Sequence, residues 1–581
     1  MQYTWDITPL YKGFDDPVFL EDVEQLRIKA DQLVAFAEKL DSIDPLEGLK
    51  GGTALLEELA LLTDRLPVYC RLRLATKISD PEATAWQGKL SAIAATYAGA
   101  EASFKLWAGN LPNLETLLEQ DDILKEYKFL YTQLAETGKY LMSSDREQTV
   151  AAMSNTTAWS NMRASLTSHL KVDFRGKTYT LTSLRNLAGD EDPVTRKEAF
   201  QAELASYDLV KDPIAHAINA LKMATITESR MRGYESPLNW ALNKDRLQKA
   251  TLDAMFGAVV DSLPQLRRYV TAKAKHLGIN GPLGWYDLSA PLGTKADAFT
   301  PEQARDYLLK MFYDFDEELG SMMDTAFRDA WIDFYPRPGK RDGAFCTSVR
   351  SMGRSWVLTN FSGSLGGVKT LAHELGHAFH NICIKEHRPL NKKYGRPVSE
   401  TASIFNECVF YNNAFENTKD QSQLLGLLDN YLNAEVNMIL DIYSRFLFED
   451  EIFNRRENEF LGADALAEIM CRAQKTSYGD SLDQEQLHPY MWICKPHYYS
   501  YFYYNYPYIF GRLFSHGLYA LYEKEGAAFI PKYKKLLYTT GVATAEEAAQ
   551  VAGIDLTDKA FWQASIDGLI KHIDKFCELA E

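Results

Sequence analysis

Apolar residues recur every third or fourth position through most of this chain. In residues 21–40, EDVEQLRIKADQLVAFAEKL, Val23, Leu26, Ala30, Leu33, Ala37 and Leu40 keep that spacing. It marks one face of an amphipathic helix. The same pattern predicts helix over 52–64, 81–107, 112–137, 190–232, 247–276, 301–331, 421–456 and 511–525. Short turn-rich breaks separate these runs: SDPEA near 79, GDEDP near 189, NGPLG near 280 and RPGKRDGA near 337. Gly, Pro, Asp and Asn punctuate helices for backbone reasons. Alternation with a period of two is rare. KVDFRGKTYTLT at 171–182 turns at Arg175-Gly176-Lys177 and predicts a hairpin. GAFCTSV at 343–349 and SWVLTNF at 355–361, joined across MGR, predict a second small hairpin. No longer repeat is present, so a solenoid is excluded. The pattern predicts a mostly α protein with a small amount of sheet.

Composition narrows the class. Hydrophobic residues make up 46% and charged residues 24% of the 581 residues, the balance of a globular chain with a large core. The net charge of −16 disfavours nucleic acid, whose phosphates require Lys and Arg. The first residues, MQYTWDITPLYKGFDDP, lack the basic start and apolar run of a secretory signal. No run of about 18 apolar residues occurs, so no membrane span is expected. The seven cysteines are scattered and never form a CxxC pair. They read as reduced thiols of a cytoplasmic protein and argue against a cysteine-ligated zinc.

The candidate chemistry follows the second hairpin, in GSLGGVKTLAHELGHAFHN. His373 and His377 are four apart, so on a helix their rings lie one turn apart on one face. Two imidazoles so placed can both reach one tetrahedral zinc. Glu374 follows the first histidine, where a carboxylate can take the proton of a water beside the metal. The remainder of the helix is apolar, through Val368, Leu371, Ala372, Leu375, Ala378 and Phe379. A buried His-Glu-His set is costly unless those groups have polar work to do.

A third histidine six residues beyond His377 would complete an all-histidine set, but Cys383 stands there. His380 is too close along the helix to join the pair and reads as a supporting or packed group. RPVSETASIFNECVF at 396–410 offers better candidates. Ser399 would cap a new helix with Glu400 in its first turn. Glu407 lies seven residues on, near the same face. Glu400 is the expected third ligand, and Glu407 the partner of a ligating histidine. One Zn2+ per chain is the expected cofactor.

LAHELGHAFH followed by SETASIFNE resembles the M3 metallopeptidases, the group of thimet oligopeptidase and oligoendopeptidase F, and the chain as a whole is most similar to the oligoendopeptidase F branch. The family pattern is HExxH and then E-x-x-S-x-x-x-E, matched here by Glu400, Ser403 and Glu407. The resemblance implies a large helical two-lobed protein enclosing a deep substrate channel, with a small β-sheet next to the HExxH helix. A boundary near 185, just after the first hairpin, would separate an N-terminal helical domain over 1–185, with the hairpin near 171–182, from a zinc peptidase domain over 186–581. The resemblance also bears on HYYSYFYYNYPY at 497–508, where seven of twelve residues are tyrosine. In the family a late histidine and several tyrosines face the metal and donate to the oxyanion of the tetrahedral intermediate. His497 matches that histidine, and Tyr504 and Tyr508 align best with the tyrosines. Tyr499, Tyr503 and Tyr506 are alternatives. Asn505 would cap a helix with Pro507 in its first turn.

The function implied is a zinc-dependent endopeptidase acting on short unfolded oligopeptides, with Glu374 as general base. The alternatives are a zinc carboxypeptidase or peptidyl-dipeptidase on the same scaffold, and a non-catalytic peptide-binding protein. An exopeptidase would need a cation for the free C-terminal carboxylate, for which Arg350, Arg354 and Lys495 are candidates.

Overall fold

Asp16, Asp44 and Asp80 each stand before a proline, and each begins a long helix in the computed structural model, which describes residues 2–153, 156–292 and 298–581. The aspartate side chain accepts a first-turn N–H while proline supplies a helical φ at a position that needs no donor. The three helices are α1 (Pro17–Ala37), α2 (Pro45–Thr76) and α3 (Pro81–Gly109). The face of α1 read from the sequence is the buried one, through Phe19, Val23, Leu26, Ala30 and Leu33. Helix dominates the described residues, as expected.

Three predicted helices are broken. The run 112–137 forms three short helices, Leu114–Leu118, Asp122–Glu126 and Lys128–Gly138. Asp121 accepts from the N–H groups of Ile123 and Leu124 and so restarts the helix inside the apolar pattern. The run 301–331 breaks at Asp316, whose extended backbone caps Leu319. The run 190–232 divides into Pro193–Tyr207 and Lys211–Arg232. Local capping overrides periodicity at such points.

The described strands form two small sheets. β1 (Lys171–Phe174) pairs antiparallel with β2 (Lys177–Thr180), the predicted first hairpin. β3 (Ile332–Asp333), β4 (Phe345–Val349) and β5 (Arg354–Leu358) form the other, in the order β3-β5-β4. The β4–β5 hairpin was expected, and its register runs from Phe345 opposite Leu358 to Val349 opposite Arg354. The short parallel strand β3 was not expected; two residues carry no alternation to detect. β4 is left as an outer strand of its sheet.

The chain forms two compact units, each built from three separate segments. The first comprises Met1–Tyr140, Ala296–Phe410 and Leu521–Ile554. Its core joins α1, α2 and α3 to Val349, Trp356 and Leu358 of the second sheet. Gly363, at a φ of 82° that suits glycine, turns the chain from that sheet into α4 (Leu365–Cys383). α5 (Thr401–Asn417) follows and leaves the first unit after Phe410.

The second unit comprises Leu141–Lys295, Tyr411–Ala520 and Asp555–Glu581. Its longest helix is α6 (Gln421–Arg456). The tyrosine-rich segment precedes α7 (Tyr506–Glu525). Residue 185 lies inside this unit, so the compact units do not divide there. The reason is local. Val172 and Phe174 of the hairpin pack with Leu184 and Ala199, which ties β1–β2 to the helices that follow.

Candidate metal centre and tyrosine cluster

In the first unit, α4 carries His373 and His377 with ring centroids 5.0 Å apart, as the i,i+4 spacing requires. Glu400 is brought to them by a close helix contact. A Cβ on Gly376 would stand 2.6 Å from the Ala402 carbonyl oxygen and the Ser403 Cα, so only glycine allows α5 to lie this near α4. Asn406 Nδ2 fixes the contact by donating to the Ala372 carbonyl at 3.0 Å. Glu400 occupies the residue before α5, and its carbonyl accepts the first intrahelical bond, from Ile404. Ser399 does not cap this helix. Its hydroxyl donates back to the Arg396 carbonyl at 2.7 Å.

Glu400 Oε2 lies 3.4 Å from the Nε2 of His373 and 3.4 Å from that of His377. Donors arranged tetrahedrally about a zinc at about 2.05 Å stand roughly 3.3–3.4 Å apart, so both Glu400–histidine distances suit such an ion. Ser403 Oγ steadies the same Glu400 oxygen at 2.9 Å. Glu407 takes the other side of the His373 ring, with Oε1 2.6 Å from Nδ1, and Lys369 Nζ stands 3.4 Å from that oxygen. A proton on Nδ1 directed at Glu407 leaves Nε2 free to ligate.

The electrostatics are those of a site made for a cation. Burial pulls His373 down, but hydrogen bonds to Glu400 and Glu407 overcome it and lift the ring to about 9. Glu400 is held well below the usual carboxylate range; burial opposes this and the two histidines outweigh it. In effect the set retains a proton where a divalent ion can replace it. Glu374 is buried, and burial raises its carboxyl above the ordinary range, with the two histidines partly offsetting that.

His380 stands apart from this group. It is fully buried, stacked on Tyr394 at 4.1 Å, and its Nε2 meets Thr540 Oγ1 at 2.8 Å. A second set in the other unit, Glu203, His488 and Cys494, also gathers three ligand-type atoms. There one Glu203 oxygen already receives Arg185, Tyr207 and His488 at 2.9, 2.8 and 3.1 Å. That carboxylate is neutralised without a metal.

In the second unit, His497 stacks on Tyr504 at 4.8 Å with an 8° angle between rings, and Tyr508 closes the trio at 5.9 Å from His497. Burial, reinforced by Arg445 and Lys495, pulls the His497 ring down to about 4, so it is neutral at ordinary pH. The alternatives spend their hydroxyls elsewhere. Tyr499 donates to the Trp492 carbonyl at 2.9 Å, Tyr503 to Asp450 at 2.8 Å and Tyr506 to Asp245 at 2.5 Å. α7 begins at Tyr506 with Pro507 in its first turn, as expected, but the Asn505 side chain makes no capping bond. Sequence reasoning missed Gly376, Asn406 and Thr540. Gly376 within HELGH, and an asparagine amid the apolar residues of α5, were the available signals.

Comparison with known proteins adds the family. The profile of Peptidase family M3 matches residues 186–568. Oligopeptidase PepF of Bacillus subtilis is 25% identical over 474 residues, covering 80% of this chain and 70% of that protein. Group B oligopeptidase PepB of Streptococcus agalactiae is 24% identical over 525 residues, covering 88% and 85%. Among solved structures, oligoendopeptidase-F from Enterococcus faecium superposes with a TM-score of 0.71 at 18% identity, covering 97% of this chain and 98% of that one. A Chlamydophila abortus structure reaches 0.84 at 20% identity, covering 99% and 98%. At such identities the structural likeness carries the fold alone. Among the described residues no helix is long and apolar enough to cross a membrane. The profile match spans well over half of the chain, which therefore belongs to peptidase family M3.

Proposed function

We propose that this peptidase is a zinc-dependent endopeptidase of short, unfolded oligopeptides. The observation that carries the reading is the convergence of His373 Nε2 and His377 Nε2 on Glu400 Oε2, each 3.4 Å from it, beside a buried Glu374. The names of the relatives, oligopeptidase and oligoendopeptidase, support the substrate class.

His373, His377 and Glu400 would hold one zinc. When bound, that ion lowers the pKa of a water toward neutrality and polarises the scissile carbonyl. Glu374, next along the helix from His373, takes the proton of the attacking water and passes it to the leaving amine. Its raised pKa suits both transfers, because a base too weakly basic would not accept the proton. His497 and Tyr504 are assigned as donors to the oxyanion, with Tyr508 orienting them, on their match to the family motif and their mutual stacking. A neutral His497 keeps an N–H to donate without introducing a charge. Outer strand β4 offers main-chain groups with which an extended peptide can pair, giving loose sequence preference.

The test is hydrolysis of an internally quenched peptide, before and after chelation and with zinc restored. Internal cleavage lost with chelator and regained with zinc is expected. Release of terminal residues or dipeptides alone would favour a carboxypeptidase or peptidyl-dipeptidase. Zinc bound at one per chain with no cleavage of any peptide would favour a binding protein. Glu374→Gln should keep its metal and lose nearly all activity; activity near wild type would overturn the assignment.

A further inference from the structure

The chain carries a net charge of −16, yet one cavity of the first unit is walled by four cations. These are Arg71 of α2, Arg350 just after β4, and Lys392 and Lys393 in the segment between α4 and α5. The cavity has a volume of about 290 Å³, and β4 forms part of it through Cys346, Thr347 and Ser348. One carboxylate lines it, Asp64, and that group accepts the Ser351 N–H at 2.8 Å.

None of the four cations forms an ion pair among the described residues. Arg350 Nε donates to the amide oxygen of Asn381 at 3.1 Å, and Lys392 Nζ to the Arg350 carbonyl at 3.3 Å. Arg350 and Lys392 are half-buried, Arg71 and Lys393 exposed; elsewhere the chain pairs its buried and half-buried cations closely, as in Lys340 with Asp333 and Arg388 with Glu57. Burial, with Lys105 and Arg350 nearby, holds the Lys393 ammonium below its ordinary range. Crowded like charges in a half-buried cavity are unfavourable unless an anion occupies it.

The cavity adjoins the candidate metal centre within the same unit. Asn381, which receives Arg350, donates to the His377 carbonyl at 2.8 Å. An extended peptide on outer strand β4 projects alternate side chains to one side, which would bring a side chain or its own terminus toward these cations.

We infer that this cavity is a subsite for a peptide carboxylate, held by Lys393, Lys392, Arg350 and Arg71. The carboxylate is either an Asp or Glu side chain or a free C-terminus. The inference rests on the proposed function only in taking a peptide as ligand.

The experiment uses two peptide sets: one with Glu moved along an otherwise neutral sequence and paired with Gln, the other with a free or amidated C-terminus. Full-length wild type is compared with Lys393→Met and with Lys392→Met/Lys393→Met, reading the acid-to-neutral ratio of kcat/KM. A charge-assisted contact predicts a wild-type preference of about tenfold or more, carried by KM and weakened by salt. In the variants the ratio should fall toward one. A preference confined to one Glu position identifies a side-chain subsite; one abolished by amidation identifies capture of the C-terminus. A ratio near one in wild type, or one that survives in the double variant, overturns the inference. Binding of the same labelled peptides to full-length Glu374→Gln, measured by anisotropy, reads the ratio without hydrolysis. The proposed function can therefore fail while this inference stands, and the reverse.

Discussion

Glu400, just before α5, and Glu407, two turns further along it, meet the His373 ring from opposite sides. Replacing Glu407 with Gln should leave the fold intact and weaken metal affinity by about 10–100-fold, the usual cost of losing a histidine's outer partner. Competition with a fluorescent chelator measures it. The tyrosines invite a sharper comparison. Tyr504→Phe should lower kcat by about 10²–10³-fold with little change in KM, the loss expected for one oxyanion donor. Tyr506→Phe should instead destabilise the protein by about 1–3 kcal/mol, because Asp245 loses its buried donor. Denaturant titration and steady-state kinetics on both variants separate the roles; a swap of phenotypes would reverse the assignment. The histidine pair was legible in the sequence because helical spacing translates directly into distance. The tyrosines were less so. Their hydroxyl partners, Asp245, Asp450 and the Trp492 carbonyl, come from other stretches of chain, and a loop has no period from which to infer direction.

Among the elements, the α4–α5 contact sets the geometry of the centre. Gly376→Ala forces a methyl into the space of the Ala402 carbonyl, and a backbone neighbour cannot yield as a flexible side chain would. Overpacking of this kind costs about 1–3 kcal/mol, and it should also displace Glu400 from the histidines. The expected result is a lower Tm together with weaker metal binding, checked by calorimetry and metal titration. An alanine variant with unaltered metal affinity would show that α5 is positioned otherwise. Element type was well marked along the chain: the Asp-Pro starts of α1, α2 and α3 are written in residues that act on their own neighbours. The breaks at Asp121 and Asp316 were harder to read, because each aspartate sits within an otherwise helical pattern and its capping role depends on backbone dihedrals.

For the whole molecule, three histidines with lowered pKa values, buried His380 and half-buried His497 and His572, contribute to the response to acid. Burial pulls His380 to about 3, and His497 and His572 to about 4, from an ordinary value of 6.5. The folded state keeps these rings neutral while the unfolded chain protonates them. Their contribution is present above pH 6.5 and is lost as pH falls from there toward about 4. Tm should therefore drop across that window, and replacing His572 with Gln should flatten the drop. Metal removal acts separately: at neutral pH, chelation should lower Tm, since an ion bound only by the folded state adds about 4 kcal/mol at a thousandfold excess over Kd.

The interleaving of segments has a consequence for synthesis. The first unit needs Leu521–Ile554, a stretch translated long after α4 and α5. Until then His380 waits for Thr540, its partner through Nε2. A nascent chain stalled near Ala520 already holds His373, His377 and Glu400, but lacks the last segment of the unit that carries them. Completion of the centre thus waits on this late segment, and an unfinished chain presents apolar surface to chaperones and proteases rather than a finished site.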